Sequence, residues 1–574
     1  MGKPLVLLVR DGWGRAPAGP GNAVTLARTP TMDRLLSTYP KCMLECSGEA
    51  VGVRKGAQGS SEVGHLNMGA GRIVEQEILR VDRLIASGQL AREPLLVKAL
   101  GNCKQHNSSL HLMGLVQDQG VHATEEHLYA LLRVAKDAGL TKVYVHFFAD
   151  GRDTPPRSAL IYLARLEEQF RQIGVGQVAT VMGRYYGMDR GNNWDRTKRA
   201  YDAMVHGIGL RARSAEAAIQ EAYARADAEI AKRGEAAKEE AGAACAANSE
   251  DKEAEPQEVL ETDEFVQPTI IAGDDGQPLA QIRDNDSVIH FNYRQDRAIQ
   301  MTRAFVEEDF KGFVRDPRPK ICYVGLTRYY DEFENAIIPP MNMKNLLGEV
   351  LSRRGLWQLR ISEYQKYRHV TSFFNGKRVK ANPGEDRVQV ASITIPEDQK
   401  PEMSAYEVTD LVLVAVSAGI AAVREKAKNT EGVTTAPAES PALPADRGKD
   451  TYDVIVLNYA NCDMVGHTGS LEAAIKAVET VDTCVGRVVE AVLARDGTVL
   501  VTSDHGNAEQ MIDPETGAPH TAHTTNDVDF VFVRSDVGGV RLRPLGILSD
   551  IAVTMLQLLN IPVPPEMTAK SLLE

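Results

Sequence analysis

The chain has 574 residues, of which 43% are hydrophobic and 25% are charged, and its formal net charge is −13. This length predicts more than one domain, and the composition is typical of a folded globular protein. The acidic balance argues against a general nucleic-acid binder, which requires a basic surface. Seven cysteines without a CxxC pair are typical of reduced thiols, so a cytoplasmic location is expected. The first apolar run is too short to span a membrane, and no membrane partner is expected.

Short apolar runs alternate with helical patterns along the chain. The predicted strands are Leu5–Val9, Val143–Phe148, Val178–Met182, Val288–Asn292, Val454–Asn458, Val499–Thr502 and Phe530–Val533. Helical periodicity predicts Ser158–Gln172, Trp194–His206, Leu471–Ala494 and Ile547–Leu558. Strands and helices in alternation predict an α/β architecture with mostly parallel sheets.

Two stretches depart from this alternation. Residues 228–262 are rich in Ala, Glu and Lys, and residues 428–450 are rich in Pro, Thr, Ala and Ser. Both contain too few large apolar side chains to offset the entropy of ordering. We therefore expect surface insertions that are partly helical or disordered.

Aspartates and histidines cluster at the ends of four predicted strands in the first and last parts of the chain. They are Asp11, Asp463, His467, Asp504, His505 and His523. In open α/β sheets, ligands bind outside the carboxyl ends of the strands. Mixed Asp/His ligation suits Mn²⁺ or Zn²⁺, and six such ligands are enough for two metal ions. Paired metals stabilise the attacking and leaving oxygens of phosphoryl transfer, so the pattern predicts that chemistry.

Arginines follow three other predicted strands, all between residues 150 and 300. They are Arg152, which is followed by Asp153, and Arg184, Arg190, Arg294 and Arg297. Guanidinium groups grip phosphate or carboxylate with two parallel hydrogen bonds. We expect one anion-binding site here, carried by a domain inserted into a discontinuous metal-binding domain.

The stretch QGSSEVGH, residues 58–65, places two serines before a run compatible with a helix. A serine hydroxyl becomes a nucleophile when a metal or a base activates it. The start of a helix also favours phosphate through its free N–H groups. Spacing alone leaves open whether Ser60 or Ser61 is the nucleophile and which of the two caps the helix.

Ten motifs in order carry a resemblance to a known family. They are RDGWG (10–14), SEVGHLNMGAGR (61–72), LHLMGLVQDQGVH (110–122), FADGRDTPP (148–156), GRYYGMDR (183–190), NYRQDRA (292–298), EYQKYRHVTSFFNG (363–376), LNYANCDMVGHTG (457–469), TSDHGNAE (502–509) and TAHTTN (521–526). Together they resemble the cofactor-independent (2,3-bisphosphoglycerate-independent) phosphoglycerate mutase family of the alkaline phosphatase superfamily. The resemblance covers nearly the whole chain apart from the two insertions.

The resemblance implies an alkaline-phosphatase-like metal domain formed by residues 1–75 and 340–574, interrupted by a substrate-binding transferase domain of residues 78–335. It implies two Mn²⁺ ions, with Mg²⁺ or Co²⁺ as alternatives. One ion would be held by Asp463, His467 and His523, and the other by Asp11, Ser61, Asp504 and His505. Ser61 would then be the nucleophile.

The resemblance also implies the substrate contacts, which would be His122, Arg152, Asp153, Arg184, Arg190, Arg294 and Arg297. Lys366 would lie near the transferring phosphoryl group. The implied reaction interconverts 3-phosphoglycerate and 2-phosphoglycerate through a phosphoserine, with Asp153 as our candidate for moving the hydroxyl proton. We expect a monomer that binds a small-molecule substrate and closes around it.

Some residues depart from the family pattern, and other functions remain open at this point. Arg10, Ser60, Gln365 and Cys462 replace the residues usual at their positions. The side chain of Arg10 either lies beside the metal ligands or points outward. A phosphopentomutase or a metal-dependent phosphatase would use the same metal residues, because fold and metals do not determine the substrate. A catalytically inactive metal-binding scaffold is the alternative from another class.

Overall fold

The computed structural model describes residues 3–243, 260–436 and 451–574. In chain order its strands are β1 (Leu5–Arg10), β2 (Lys41–Glu45), β3 (Leu110–Leu115), β4 (Val143–Ala149), β5 (Gln177–Gly183), β6 (Leu210–Ala212), β7 (Thr269–Ile271), β8 (Ser287–His290), β9 (Cys322–Thr327), β10 (Ala336–Ile338), β11 (Gln358–Glu363), β12 (Glu385–Val390), β13 (Val433–Ala436), β14 (Val454–Tyr459), β15 (Thr498–Thr502), β16 (Val528–Arg534) and β17 (Leu545–Ile547).

The α-helices follow the same order. They are α1 (Ala23–Leu26), α2 (Pro30–Thr38), α3 (Ser61–Ala70), α4 (Glu77–Ala86), α5 (Pro94–His106), α6 (Glu125–Asp137), α7 (Ala159–Ile173), α8 (Arg184–Gly187), α9 (Trp194–Val205), α10 (Ala215–Ala243), α11 (Ile299–Val306), α12 (Leu347–Arg353), α13 (Tyr364–Arg368), α14 (Ala405–Ser417), α15 (Ile420–Asn429), α16 (Asn461–Gly466), α17 (Leu471–Leu493) and α18 (Asp550–Leu558).

The chain divides into two compact units. The first unit contains residues 1–76 and 342–574, and the second contains residues 77–341. Each unit has its own sheet, with strand order β13-β12-β11-β14-β1-β15-β16-β2-β17 in the first and β10-β9-β8-β3-β4-β5-β7-β6 in the second. The α/β fold class predicted from the alternation of strands and helices is confirmed.

The centre of the first sheet is parallel and buried on both faces. Strand β1 pairs in parallel with β14 and β15, and β11 pairs in parallel with β12 and β14. Val6 and Leu8 of β1 pack into one hydrophobic cluster, whereas Leu5, Leu7 and Val9 pack into another. Because successive side chains of a strand point to opposite faces, β1 needs an unbroken apolar run to serve both clusters. This geometry explains the sequence LVLLV.

The second sheet is built in the same way around β8, β3, β4 and β5. These strands pair in parallel, in the order β8-β3-β4-β5. A single hydrophobic cluster packs around this sheet, with Leu112, Val145, Phe147 and Ile289 fully buried within it. Parallel pairing brings the carboxyl ends of all four strands to one edge, where the predicted arginines follow them.

All the strands and helices predicted from periodicity are present, with boundaries that shift by at most three residues. The described parts of the two expected insertions include a helix and a strand. Helix α10 extends to Ala243, and β13 pairs in antiparallel fashion with β12 at the edge of the first sheet. The remainder of each predicted insertion, within 244–259 and 437–450, lies outside the described residues. Within the described residues, no helix is long and apolar enough to cross a membrane.

Candidate functional site

The carboxyl edge of the first sheet carries the predicted aspartates and histidines. The side chains are Asp11 after β1, Lys366 in α13 after β11, Asp463 in α16 after β14, His467 at the end of α16, and Asp504 and His505 after β15. His523 precedes β16, which is antiparallel to β15 and therefore begins at the same edge. All of these side chains except those of His467 and His523 are buried.

Helix α3 separates the roles of the two serines that sequence spacing could not separate. The Ser60 hydroxyl accepts a hydrogen bond from the Val63 N–H at 3.3 Å and caps the helix. The Ser61 hydroxyl instead lies 3.1 Å from Asp11 Oδ1 and 2.9 Å from His505 Nε2. Ser61 is the first residue of the helix, where the positive end of the helix dipole favours an anion. The cap and the hydroxyl in the acidic cluster are therefore different serines.

Lys366 provides the central positive charge of this cluster. Its buried ammonium lies 2.6 Å from Ser61 Oγ, 2.7 Å from Asp11 Oδ1 and 2.6 Å from Asp463 Oδ2. Burial opposes the charge, but the surrounding aspartates outweigh burial and raise the pKa of Lys366. Burial likewise opposes ionisation of Asp11 and Asp463, yet the Lys366 ammonium helps hold the pKa of both carboxyls well below the usual value. All three groups are therefore charged at neutral pH.

Two imidazole nitrogens and one carboxylate oxygen converge on one point. His467 Nε2 and His523 Nε2 lie 3.2 Å and 3.1 Å from Asp463 Oδ1, and 3.2 Å from each other. Each ring uses Nδ1 toward a backbone carbonyl, Thr521 O for His467 and Gly59 O for His523. A backbone carbonyl can only accept a hydrogen bond, so each Nδ1 carries a hydrogen. In the neutral ring each Nε2 then carries the lone pair that can bind a cation. This donor set fits a divalent transition-metal ion.

A second set of donors surrounds Asp11. Ligand atoms of Asp11, Asp504 and His505 lie within 4.8 Å of one another, as do those of Asp463, His505 and His523. The His505 ring is therefore within reach of both sets. Burial disfavours a charged imidazole, but Asp504 and the other carboxylates outweigh it and raise the pKa of His505 to about 10. This strong negative potential favours cations at both sets of donors.

Two buried residues that were not predicted from the sequence, Asn458 and His65, orient the groups of this cluster. The Asn458 amide donates to Asp11 Oδ2 at 2.6 Å and lies 3.2 Å from His65 Nε2. His65 Nδ1 faces the Ser61 carbonyl at 2.9 Å and Asp504 Oδ2 at 3.3 Å. His65 lies four residues after Ser61 on the same helical face, and this spacing was the available signal. Asn458 is in a strand end and carried no distinguishing pattern.

The residues that depart from the family pattern lie around the cluster without replacing a donor. The alternative that the Arg10 side chain points outward was wrong. Arg10 is fully buried against Trp13, 4.6 Å from the ring centroid, with Nε facing Thr502 O at 3.4 Å. Because successive side chains of a strand alternate, Arg10 lies on the face of β1 opposite to the adjacent Val9, where helices cover it. Cys462 is buried, and Gln365 is exposed.

The second unit brings the predicted substrate residues to the carboxyl edge of its own sheet. They are His122 after β3, Arg152 and Asp153 after β4, Arg184 and Arg190 after β5, and Arg294 and Arg297 after β8. These four strands are neighbours in the sheet, which explains why residues so distant in sequence lie at one edge.

Arg184 is the buried centre of this second group. Nη1 donates to Asp150 Oδ1 at 2.5 Å and to Asp153 Oδ2 at 2.7 Å, and Nη2 donates to His122 Nε2 at 2.9 Å. Because His122 Nε2 accepts this bond, its hydrogen is on Nδ1. Burial, Arg184 and Arg294 lower the pKa of His122 to about 4, so its ring is neutral at pH 7.

The other arginines are held less tightly. Arg190 Nη1 donates to Asp296 Oδ2 at 2.6 Å, and Arg294 Nε lies 3.2 Å from Asp296 Oδ1. Asp296 is a further residue that the sequence analysis did not single out, although it lies within NYRQDRA. Arg297 Nη1 donates to the Met188 carbonyl at 3.1 Å. Burial and the neighbouring arginines lower the pKa of Arg297. The contribution of the arginines indicates that positive charge is concentrated around this side chain.

Comparison with known families assigns each unit separately. The family model "BPG-independent PGAM N-terminus" matches residues 81–240 and 227–331. The model of the metalloenzyme superfamily matches residues 434–563. The first model falls within the second unit, and the second falls within the first unit.

Individual relatives match the whole chain. The 2,3-bisphosphoglycerate-independent phosphoglycerate mutase 2 of Methanosarcina acetivorans is 46% identical over 574 residues, covering 100% of this chain and 97% of the relative. The 2,3-bisphosphoglycerate-independent phosphoglycerate mutase of Acetivibrio thermocellus is 45% identical, covering 100% of this chain and 99% of the relative. A crystal structure of Leishmania mexicana phosphoglycerate mutase at low cobalt concentration has a TM-score of 0.65 and 29% identity, covering 100% of this chain and 98% of that one.

Proposed function

The chain belongs to the family of 2,3-bisphosphoglycerate-independent phosphoglycerate mutases, and on this premise we propose how its residues carry out the reaction. The enzyme interconverts 3-phosphoglycerate and 2-phosphoglycerate without 2,3-bisphosphoglycerate. The full-length similarity favours this activity over a phosphopentomutase, a phosphatase or an inactive scaffold. The observation that supports the chemical proposal best is the convergence of Lys366 and Asp11 on the Ser61 hydroxyl.

The nucleophile in this proposal is Ser61. Ser61 reacts as its alkoxide, which the Lys366 ammonium stabilises. The alkoxide attacks phosphorus, the bond from phosphorus to the 3-oxygen of the substrate breaks, and a phosphoserine and the 3-alkoxide of glycerate are formed. The Lys366 ammonium, 2.6 Å from Ser61 Oγ, donates to the phosphoryl oxygens during transfer. In the second half of the reaction the 2-oxygen of glycerate attacks the phosphoserine, and Ser61 is regenerated.

The chain uses divalent metal ions, as its metalloenzyme match and its candidate ligands indicate. We propose two ions, with Mn²⁺ first and Mg²⁺ or Co²⁺ as alternatives. Asp463, His467 and His523 would hold one, and Asp11, Ser61, Asp504 and His505 the other. When bound, they supply Lewis-acid compensation for the charge on the phosphoryl oxygens.

Glycerate must stay bound between the two transfers, and the second unit supplies the groups for this. We propose that Arg294, Arg297, Arg190 and Arg152 bind the carboxylate and phosphate groups of the substrate. Arg184 already donates to Asp150, Asp153 and His122, so we propose that it orients those groups. The His122 Nδ1–H is buried without a hydrogen-bond partner among the described residues, and it is available to donate to a substrate oxygen.

Asp153 is our candidate for proton movement on glycerate. Its carboxylate accepts a hydrogen bond from Arg184 Nη1 at 2.7 Å, and this bond orients it among the proposed substrate groups of the second unit. It would accept the proton of the attacking 2-hydroxyl and return a proton to the 3-oxygen.

The decisive experiment is a coupled assay of 3-phosphoglycerate conversion without 2,3-bisphosphoglycerate, with and without EDTA. We expect activity in the metal-loaded wild type, loss in EDTA, and loss in Ser61→Ala. Mass spectrometry of acid-quenched wild type should find phosphate on Ser61.

Ser60→Ala is the matched control. It removes the N-cap bond to Val63 and should cost about 1 kcal/mol of stability while retaining turnover. Phosphate on Ser60, or turnover by Ser61→Ala, would refute the assignment.

We also propose that the enzyme is a cytoplasmic monomer. The described cysteines form no disulfide, which agrees with a reducing compartment. Light scattering of the purified full chain tests the monomeric state.

A further inference from the structure

The second unit contains a cavity of about 740 Å³ at the amino-terminal edge of its sheet. Asn285 precedes β8, and Ile321 and Cys322 lie at the start of β9. The arginines Arg294 and Arg297 follow β8 at its other end. The cavity therefore lies at the edge of the sheet opposite the proposed substrate groups. Its volume is within the usual range for small-molecule sites.

The charge of this cavity is unlike the charge of the chain as a whole. Lys98, Arg318 and Lys320 line it, and none of its described lining residues is acidic. The whole chain carries a net charge of −13, so three cations in one cavity without an acidic lining residue depart from the background. Arg318 donates to the carbonyls of Phe305 and Val306, which hold the guanidinium in place without neutralising it.

The remaining lining residues add neutral hydrogen-bonding groups and an apolar wall. Helix α5 presents Leu95, Lys98, Asn102 and Gln105 at spacings of three and four residues, which is one helical face. The Asn102 amide donates to Asn285 O at 2.7 Å and Ser287 Oγ at 3.1 Å, and this fixes α5 against β8. Ile321 and Val324 supply apolar surface beside the charges.

From these features we infer that the cavity binds a phosphate-bearing small molecule, separately from the substrate groups at the opposite edge of the sheet. Lysine ammonium and guanidinium groups are the side chains that recognise phosphate. The adjoining apolar wall accepts the organic part of such a ligand. Inorganic polyphosphate and a nucleoside diphosphate share this chemistry, and the experiment distinguishes them.

The reactivity of the Cys322 thiol can report whether a ligand occupies the cavity. It lines the cavity and is partly exposed, whereas the other described cysteines are buried. Burial raises the pKa of its thiol, and the nearby Lys98 ammonium opposes this effect. A ligand in the cavity would shield the thiol from an alkylating reagent.

The test measures alkylation of Cys322 in the full-length enzyme by peptide mass spectrometry. The probes are ADP, inorganic pyrophosphate and adenosine, each added alone at low ionic strength. We expect ADP or pyrophosphate to slow alkylation about fivefold at saturation, and Lys98→Glu/Lys320→Glu to raise the ligand concentration needed for half-maximal protection about tenfold or more. Lys104→Glu, an exposed lysine of the same helix outside the cavity, is the matched control and should retain protection.

Each outcome bears on the inference. Equal protection by pyrophosphate and ADP supports recognition of the phosphates alone. Protection by ADP but not by pyrophosphate supports recognition of the phosphates together with a contact to the nucleoside. The inference is overturned if neither phosphate compound protects Cys322, if adenosine protects as well as ADP, or if the double charge reversal leaves protection unchanged. Coupled-assay activity of the double variant should equal that of the wild type, which verifies that the variant is folded.

Discussion

The side-chain amide of Asn458 donates a hydrogen bond to Asp11 Oδ2 at 2.6 Å. This bond joins the ends of two adjacent strands, because Val9 and Asn458 are register partners in β1 and β14. The same amide lies 3.2 Å from His65 Nε2, so one side chain orients both a proposed metal ligand and the residue that contacts Asp504. Asn458 is thus a positioning residue for the metal site.

Asn458→Ala should therefore weaken metal binding more than it weakens the fold. Loss of a group that orients a metal ligand typically lowers metal affinity by about 10- to 100-fold. Isothermal titration with Mn²⁺ in the absence of substrate measures this directly. Asn461→Ala is the control, because Asn461 donates only to the Pro401 and Glu402 carbonyls and should leave metal affinity unchanged. Equal metal affinity in Asn458→Ala and wild type would contradict the positioning role.

Lys366→Met should abolish turnover and destabilise the metal-free protein. Removing the ammonium leaves the buried carboxylates of Asp11 and Asp463 without their cation, and breaking a buried pair in this way costs about 3–5 kcal/mol. Urea unfolding in EDTA measures the loss, and Mn²⁺ should restore part of it by supplying replacement charge. Lys377→Met is the control, since Lys377 pairs with Glu62 at the surface. Unchanged stability of Lys366→Met in EDTA would show that the ammonium does not compensate these carboxylates.

Some residues of the two sites could be placed from the sequence, and others could not. Asp11 and Asp463 follow strands of the first sheet, and Arg184 follows a strand of the second, so the rule that ligands bind at the carboxyl ends of parallel strands was enough to place each at the carboxyl edge of its own sheet. Asn458 and Arg10 could not be assigned, because their neighbours come from strand register and from the helical layers, which one chain segment does not encode. A charged residue in a central strand is usually expected at the surface, yet both faces of β1 are covered.

Arg184→Lys should reduce catalysis although it conserves the charge. Arg184 binds Asp150, Asp153 and His122 at once through the fork of its guanidinium, and an ammonium offers no such planar geometry. We expect kcat/KM for 3-phosphoglycerate to fall about 100-fold, or about 3 kcal/mol, with metal affinity unchanged.

The control for this substitution is Arg213→Lys, at an exposed position in the same unit. Because misoriented substrate groups would hold glycerate less tightly, Arg184→Lys should also release more inorganic phosphate per turnover than wild type. Wild-type kcat/KM in Arg184→Lys would show that the fork is dispensable.

His290 should make the second unit less stable in mild acid. Burial lowers the pKa of this fully buried imidazole to about 3, whereas an unfolded histidine titrates near 6.5. Between these values the unfolded chain binds a proton that the folded chain does not, so stability is present above pH ~6.5 and is lost as the pH falls. The expected loss from this one group between pH 7 and pH 5 is about 2 kcal/mol. His290→Phe, which keeps an aromatic ring beside Phe148, should remove that part of the pH dependence in urea unfolding. His106→Phe, at an exposed position of α5, should leave the pH dependence as in wild type, and an equally steep acid loss in His290→Phe would assign the effect to other groups.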